Sequence, residues 1–139
     1  MALRTRYLVD TSVFTHIHYP EVHAGLTSLA HFGFIAICSI VELEKGFSAR
    51  NYQNHVSVGK ESGMMPRASI SQRTFDSAFS IQRDLARVGK HRLPIPDLIV
   101  AACAREHGLT VLHYDSDFDT ISSVTGQKVQ WIVPRGSLT

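Results

Sequence analysis

The sequence predicts an α/β fold, a three-layer α/β/α sandwich around a central, mainly parallel sheet. Three observations lead there. Short apolar runs of strand length alternate along the chain with segments of helical spacing, the order that strand–helix–strand units produce. Those runs are continuously apolar, as strands covered on both faces are. With 139 residues, 44% of them hydrophobic, there is material for one core and no room for two ordinary domains, so residues 1–139 read as a single domain.

Each element has its own signal. Residues 6–9 read as a short strand ending at Asp10. Residues 12–30 look helical, with Pro20 suited to the first turn of a second helix and Gly33 to its exit. Residues 34–38 are an apolar run of strand length, and Ser39-Ile-Val-Glu42 has the Ser-x-x-Glu form of a capping box opening the next helix. Residues 51–63 read as helix. Residues 71–88 form a clearer one, with Phe75, Ala78, Phe79, Gln82, Leu85 and Ala86 at helical spacing and Gly89 as its stop. Leu93-Pro-Ile-Pro96 reads as a rigid loop that cannot continue a helix, and Asp97 as the N-cap of a helix over 98–107 that Gly108 ends. Residues 109–114 form a third strand, a short helix follows Asp117, and 129–133 is the last strand. The aromatic residues read as core.

Composition excludes several classes. Charged residues are only 19% of the chain and form no like-charge block, which rules out wholesale disorder. The longest apolar run, 98–104, has seven residues against the roughly 20 that a bilayer requires. Asp10 interrupts the N-terminal stretch before an export signal could form, so the expected location is cytoplasmic. Cys38 and Cys103 sit inside apolar runs and read as buried, reduced thiols. The eight histidines are scattered and read as surface or packing residues, and no Gly-x-Gly-x-x-Gly, Walker or Gly-x-Ser-x-Gly motif is present.

The acids are distributed less evenly. Asp10 follows the first strand, Glu42 lies in the first turn after the second, Asp97 opens a helix, and Asp115 and Asp117 follow the third strand. Open parallel sheets bind ligands beyond the carboxyl ends of their strands, where chain direction delivers these residues. Singly, each acid reads as a cap or a turn residue. Together they would repel unless a proton or cation neutralised them, and an oxygen-only set suits Mg²⁺ or Mn²⁺ rather than zinc. Thr11 and Ser12 adjoin Asp10 and either cap the helix or support the site. The formal charge is +2; withdrawing the five acids leaves seven against fourteen bases, a basic body suited to a polyanion. Lys90 and Arg92 lie in a basic segment leading to Asp97 and read either as a solvated helix end or as a grip on phosphates. Asp115-Ser-Asp117-Phe-Asp119 fails as an EF-hand loop, because its sixth position is Thr120 and its twelfth Gly126.

Taken in order, Val-Asp10-Thr-Ser, Ser39-Ile-Val-Glu42-Leu, Pro96-Asp97-Leu-Ile-Val-Ala-Ala and Tyr-Asp115-Ser-Asp117-Phe resemble the PIN-domain ribonuclease family, in particular its VapC-type toxins of prokaryotic toxin–antitoxin pairs. The resemblance runs from Tyr7 to about residue 133 and departs at His113, where many members carry Thr or Ser. It implies a PIN-like fold and an endoribonuclease. Asp10, Glu42, Asp97 and Asp115 would be catalytic, and with Asp117 they would hold Mg²⁺ or Mn²⁺. Implied partners are an RNA substrate and a cognate antitoxin protein, with a homodimer inside a toxin–antitoxin complex. RNA products would carry 5′-phosphate and 3′-hydroxyl ends. Two alternatives stand beside it. One is a catalytically weak or inactive PIN-like binding protein, with residues 13–34 either packed in the core or forming a groove for an amphipathic antitoxin segment. The other is a haloacid-dehalogenase-like phosphatase, which the Asp-x-Asp at 115–117 resembles in three letters.

Overall fold

A computed structural model describes residues 5–139; residues 1–4, part of the N-terminal stretch read for an export signal, lie outside the described residues. The chain runs β1 (Tyr7–Val9), α1 (Thr11–Thr15), α2 (Pro20–His31), β2 (Ile35–Ala36), α3 (Ser39–Phe47), α4 (Tyr52–Gly63), α5 (Gln72–Ala86), α6 (Ile95–His107), β3 (Thr110–His113), α7 (Asp117–Thr125) and β4 (Val129–Trp131). The strands form one sheet in the order β2-β1-β3-β4, and every pairing is parallel. Tyr7 sits opposite both Ile35 and Thr110, which makes β1 a central strand.

Strand side chains alternate between two cores, and this produces the three layers. Leu8 and Val111 pack with Val41 of α3, Ile81 and Leu85 of α5, Leu98 to Ala104 of α6, and Phe118 and Ile121 of α7. Val9 and Leu112 pack on the opposite face with Val13, Val22 and Leu26 of α1 and α2. Helix α6 is buried along Asp97 to Ala104, where Ala101, Ala102, Cys103 and Ala104 keep it thin enough to lie close against its neighbours. Gly108 ends it with φ of +65°, a left-handed turn that sends the chain into β3.

Several local expectations change. Helix α3 is capped by Cys38 without a side-chain bond, so Ser39 is its first residue and the Ser39–Glu42 capping box does not form. A reciprocal box forms instead between Ser71 and Thr74 at the start of α5. Helix α6 begins at Ile95, inside the segment read as a rigid loop, because proline is tolerated in a first turn that has no amide partner to lose. Asp97 is therefore its third residue, and Pro94 takes the N-cap position. The buried stripe of α5 is Thr74, Ala78, Ile81 and Leu85, which leaves Phe75 and Phe79 48% and 63% exposed, off the core that the aromatic residues were expected to fill. The 13–34 stretch places Val13, Val22 and Leu26 in the core instead of lining a groove. Cys38 and Cys103 are buried free thiols.

Candidate active site

The carboxyl ends of β1 and β3 and the first turns of α6 and α7 bring four acids together. Asp10 ends β1 and caps α1: its Oδ2 accepts the Ser12 N–H at 2.9 Å, and its own amide donates to the Leu112 carbonyl at 2.9 Å. Asp115 opens the turn after β3, where its Oδ1 accepts the Asp117 N–H at 2.9 Å. Asp97 comes from the first turn of α6 and Asp117 is the first residue of α7. Asp97, Asp115 and Asp117 each offer a carboxylate oxygen, and these atoms lie within 4.8 Å of one another.

Burial and nearby like charge raise the pKa of three of these acids, Asp97, Asp10 and Asp117. Asp97 is 8% exposed, and its Oδ2 has no hydrogen-bond partner among the described residues. Desolvation first, then the charges of Asp10, Asp115, Asp117 and Glu44, push its pKa up to about 8. Asp10, 3% exposed, is also raised, chiefly by desolvation; hydrogen bonds from Ser12 work the other way, and Glu44 adds repulsion. Asp117 is raised by desolvation and by Asp115.

The fifth acid is Glu44, not Glu42. Glu42 turns onto Arg67, whose guanidinium donates to both carboxylate oxygens at 2.8 and 2.6 Å and holds the carboxyl below its usual range. Residues two apart on a helix point about 200° apart, so one α3 cannot aim both acids at the pocket. Glu44 stands three residues after Val41, the buried residue of α3, and accepts the Thr11 hydroxyl at 2.7 Å. Sequence spacing carried this signal, since the apolar anchor at Val41 fixes which side of α3 faces α1; the capping-box reading drew attention to Glu42 instead. Next to it, Lys45 Nζ lies 3.8 Å from the centre of the Phe14 ring, so α3 is clasped to α1 at two points.

Thr11 and Ser12 both make hydrogen bonds beside these acids. Thr11 holds Glu44, while Ser12 Oγ accepts the Tyr114 N–H at 2.9 Å and ties α1 to the loop that carries Asp115. Lys90 and Arg92 are exposed in the segment before α6 and make no ion pair among the described residues. His113 is fully buried, and its Nδ1 accepts the Asp115 N–H at 3.1 Å. Desolvation lowers its pKa to about 4 against the opposing charges of Asp119 and Asp115, so the ring is neutral.

The PIN domain pattern matches residues 7–123, and this chain belongs to the PIN domain family. Ribonuclease VapC51 of Mycobacterium tuberculosis (strain ATCC 25618 / H37Rv) is 42% identical over 138 residues, covering 99% of each chain. Ribonuclease VapC21 of the same strain is 39% identical over 137 residues, covering 97% of this chain and 99% of its own. The fold is also that of the crystal structure of VapBC2 from Rickettsia felis bound to a promoter DNA fragment. That match has a TM-score of 0.76 at 18% identity, covering 91% of this chain and 98% of the other.

Proposed function

We propose that this protein is a metal-dependent endoribonuclease, the toxin of a toxin–antitoxin pair. One observation carries the reading: a buried Asp97 carboxyl with an unpartnered oxygen stands among Asp10, Glu44, Asp115 and Asp117. A divalent cation relieves that repulsion, and an all-oxygen donor set fits Mg²⁺ or Mn²⁺. The similar proteins, ribonucleases VapC51 and VapC21, suggest the substrate class.

Asp97, Asp115 and Asp117 would hold the ion, with Asp10 beside them, directly or through water. When bound, Mg²⁺ or Mn²⁺ polarises a phosphoryl oxygen and acidifies water. The protein's own groups do the rest. Ser12 restrains the Asp10 carboxylate and the Asp117 amide restrains that of Asp115, so these two side chains are held before an ion binds. Glu44, held by Thr11, accepts the proton of the attacking water. Water adds to phosphorus as the P–O3′ bond breaks, and the 3′ oxygen takes a proton from solvent, giving 5′-phosphate and 3′-hydroxyl ends. Lys90 and Arg92 contact flanking phosphates. The partner is an antitoxin protein, as the toxin–antitoxin title of the similar VapBC-5 structure from Mycobacterium tuberculosis supports, and we place the protein in the cytoplasm.

Incubating purified protein with RNA and Mn²⁺, then sequencing the new ends, tests this. Ends with 5′-phosphate are expected. Cation binding without cleavage would leave a binding protein, and phosphate release from small monoesters without RNA cleavage would favour a phosphatase.

A further inference from the structure

We infer that His113 is a positioning residue for the metal-binding turn, its imidazole Nδ1 fixing the backbone of Asp115 and thereby the aim of Asp115 and Asp117. This rests on the metal-binding reading above. Between the end of β3 and the start of α7 the chain makes two successive bonds of one kind: Asp115 N–H donates to His113 Nδ1 at 3.1 Å, and Asp117 N–H donates to Asp115 Oδ1 at 2.9 Å. Each joins a side-chain acceptor to the amide two residues on. Asn, Asp, Ser and Thr make this bond at turns, and here an imidazole takes their place.

The ring is held for that task. It lies between Phe118 and Trp131, with ring centres 5.1 and 4.9 Å away, and its residue pairs with Trp131 across β3 and β4. Because Nδ1 accepts, the proton of the neutral ring is assigned to Nε2. Nε2 is buried and has no partner among the described residues. A buried donor without a partner costs stability, so a residue serving only to fill this space would be aliphatic. Packing accounts for a ring-sized group; only the bond to Asp115 accounts for a nitrogen.

Two substitutions separate the explanations. His113→Leu keeps apolar volume and loses the acceptor. His113→Thr keeps an acceptor for the amide two residues on and leaves a void. A packing role ranks Leu above Thr in every measurement. The positioning role reverses the ranking at the site alone. In EDTA, Leu melts at or above Thr; yet Mn²⁺ binding, followed by the electron paramagnetic resonance of free Mn²⁺, is weakened about tenfold or more in Leu and less than about threefold in Thr. Hydrogen exchange of the Asp115 amide is slow in wild type and Thr and fast in Leu, a readout that needs no metal. Mn²⁺ affinities that follow the melting order, or an Asp115 amide equally protected in Leu, overturn the inference. A wild type that binds no Mn²⁺ while keeping the amide pattern overturns the metal reading and leaves the turn assignment supported.

Discussion

Replacing Asp97 by Asn in the metal-free protein should stabilise it, by an amount that grows with pH. Asp97 is buried beside like charges, and its pKa rises to about 8. In the unfolded chain it returns to about 4. Its folded pKa is raised, so wild-type stability is greatest below pH 4 and falls as pH climbs toward 8. The slope is about 1.4 kcal/mol per pH unit for one proton, and it flattens above the folded pKa. Charging Asp97 in the folded state therefore costs up to about 5 kcal/mol at pH 9, an upper bound because neighbouring carboxyls share the titration. Asn is neutral throughout and avoids that cost. Urea unfolding in EDTA at pH 5, 7 and 9 measures the difference. The two proteins should converge at pH 5 relative to pH 9, where the variant leads by several kcal/mol. Parallel pH profiles, or a variant less stable at every pH, would refute the clustering of charge around Asp97.

Cation binding should act in the opposite sense: Mn²⁺ at 100 times its dissociation constant contributes about 2.7 kcal/mol, or about 9 °C in melting temperature for a chain this size. Because Asp97 is protonated below about pH 8, that binding at pH 7 should release close to one proton, read by calorimetry in buffers of different ionisation enthalpy, and release should fade above pH 9. Glu44→Gln should lower cleavage strongly while keeping an acceptor for Thr11; Glu42→Gln should lose only the partly exposed pair with Arg67, about 0.5–1 kcal/mol of stability, and cleave normally. RNA affinity should fall steeply with salt, the logarithmic slope counting the phosphates gripped by Lys90, Arg92 and the rest of the basic surface; a flat dependence measured by fluorescence anisotropy would remove that role.

The order of elements and the edge at which the acids gather were legible because both follow from periodicity and chain direction. Asp10 and Asp115 had to leave β1 and β3 at the same end of a parallel sheet. What sequence left open was rotation about helix axes. Glu42 and Glu44 differ by half a turn of α3, and only the docking of Val41 and Thr11 decides between them. Phe75 and Phe79 have helical spacing but lie beside the Thr74–Ala78–Ile81 stripe that small residues allow to pack against α6. Asp97 reads as a cap because proline residues precede it; the helix starts among them because a first turn needs no amide at those positions. The departure at His113 has a physical resolution, since Nδ1 accepts the same amide that a Thr or Ser hydroxyl would reach.

The most direct measurement is RNA cleavage by wild type, Asp97→Asn and Glu42→Gln, side by side, in saturating Mn²⁺ and in EDTA. Wild type and Glu42→Gln should cleave alike in Mn²⁺ and not at all in EDTA, while Asp97→Asn, folded and more stable when metal-free, should be slower by about a hundredfold or more. Cleavage by wild type in EDTA, or by Asp97→Asn at the wild-type rate in saturating Mn²⁺, would contradict a metal-dependent nuclease built on this pocket.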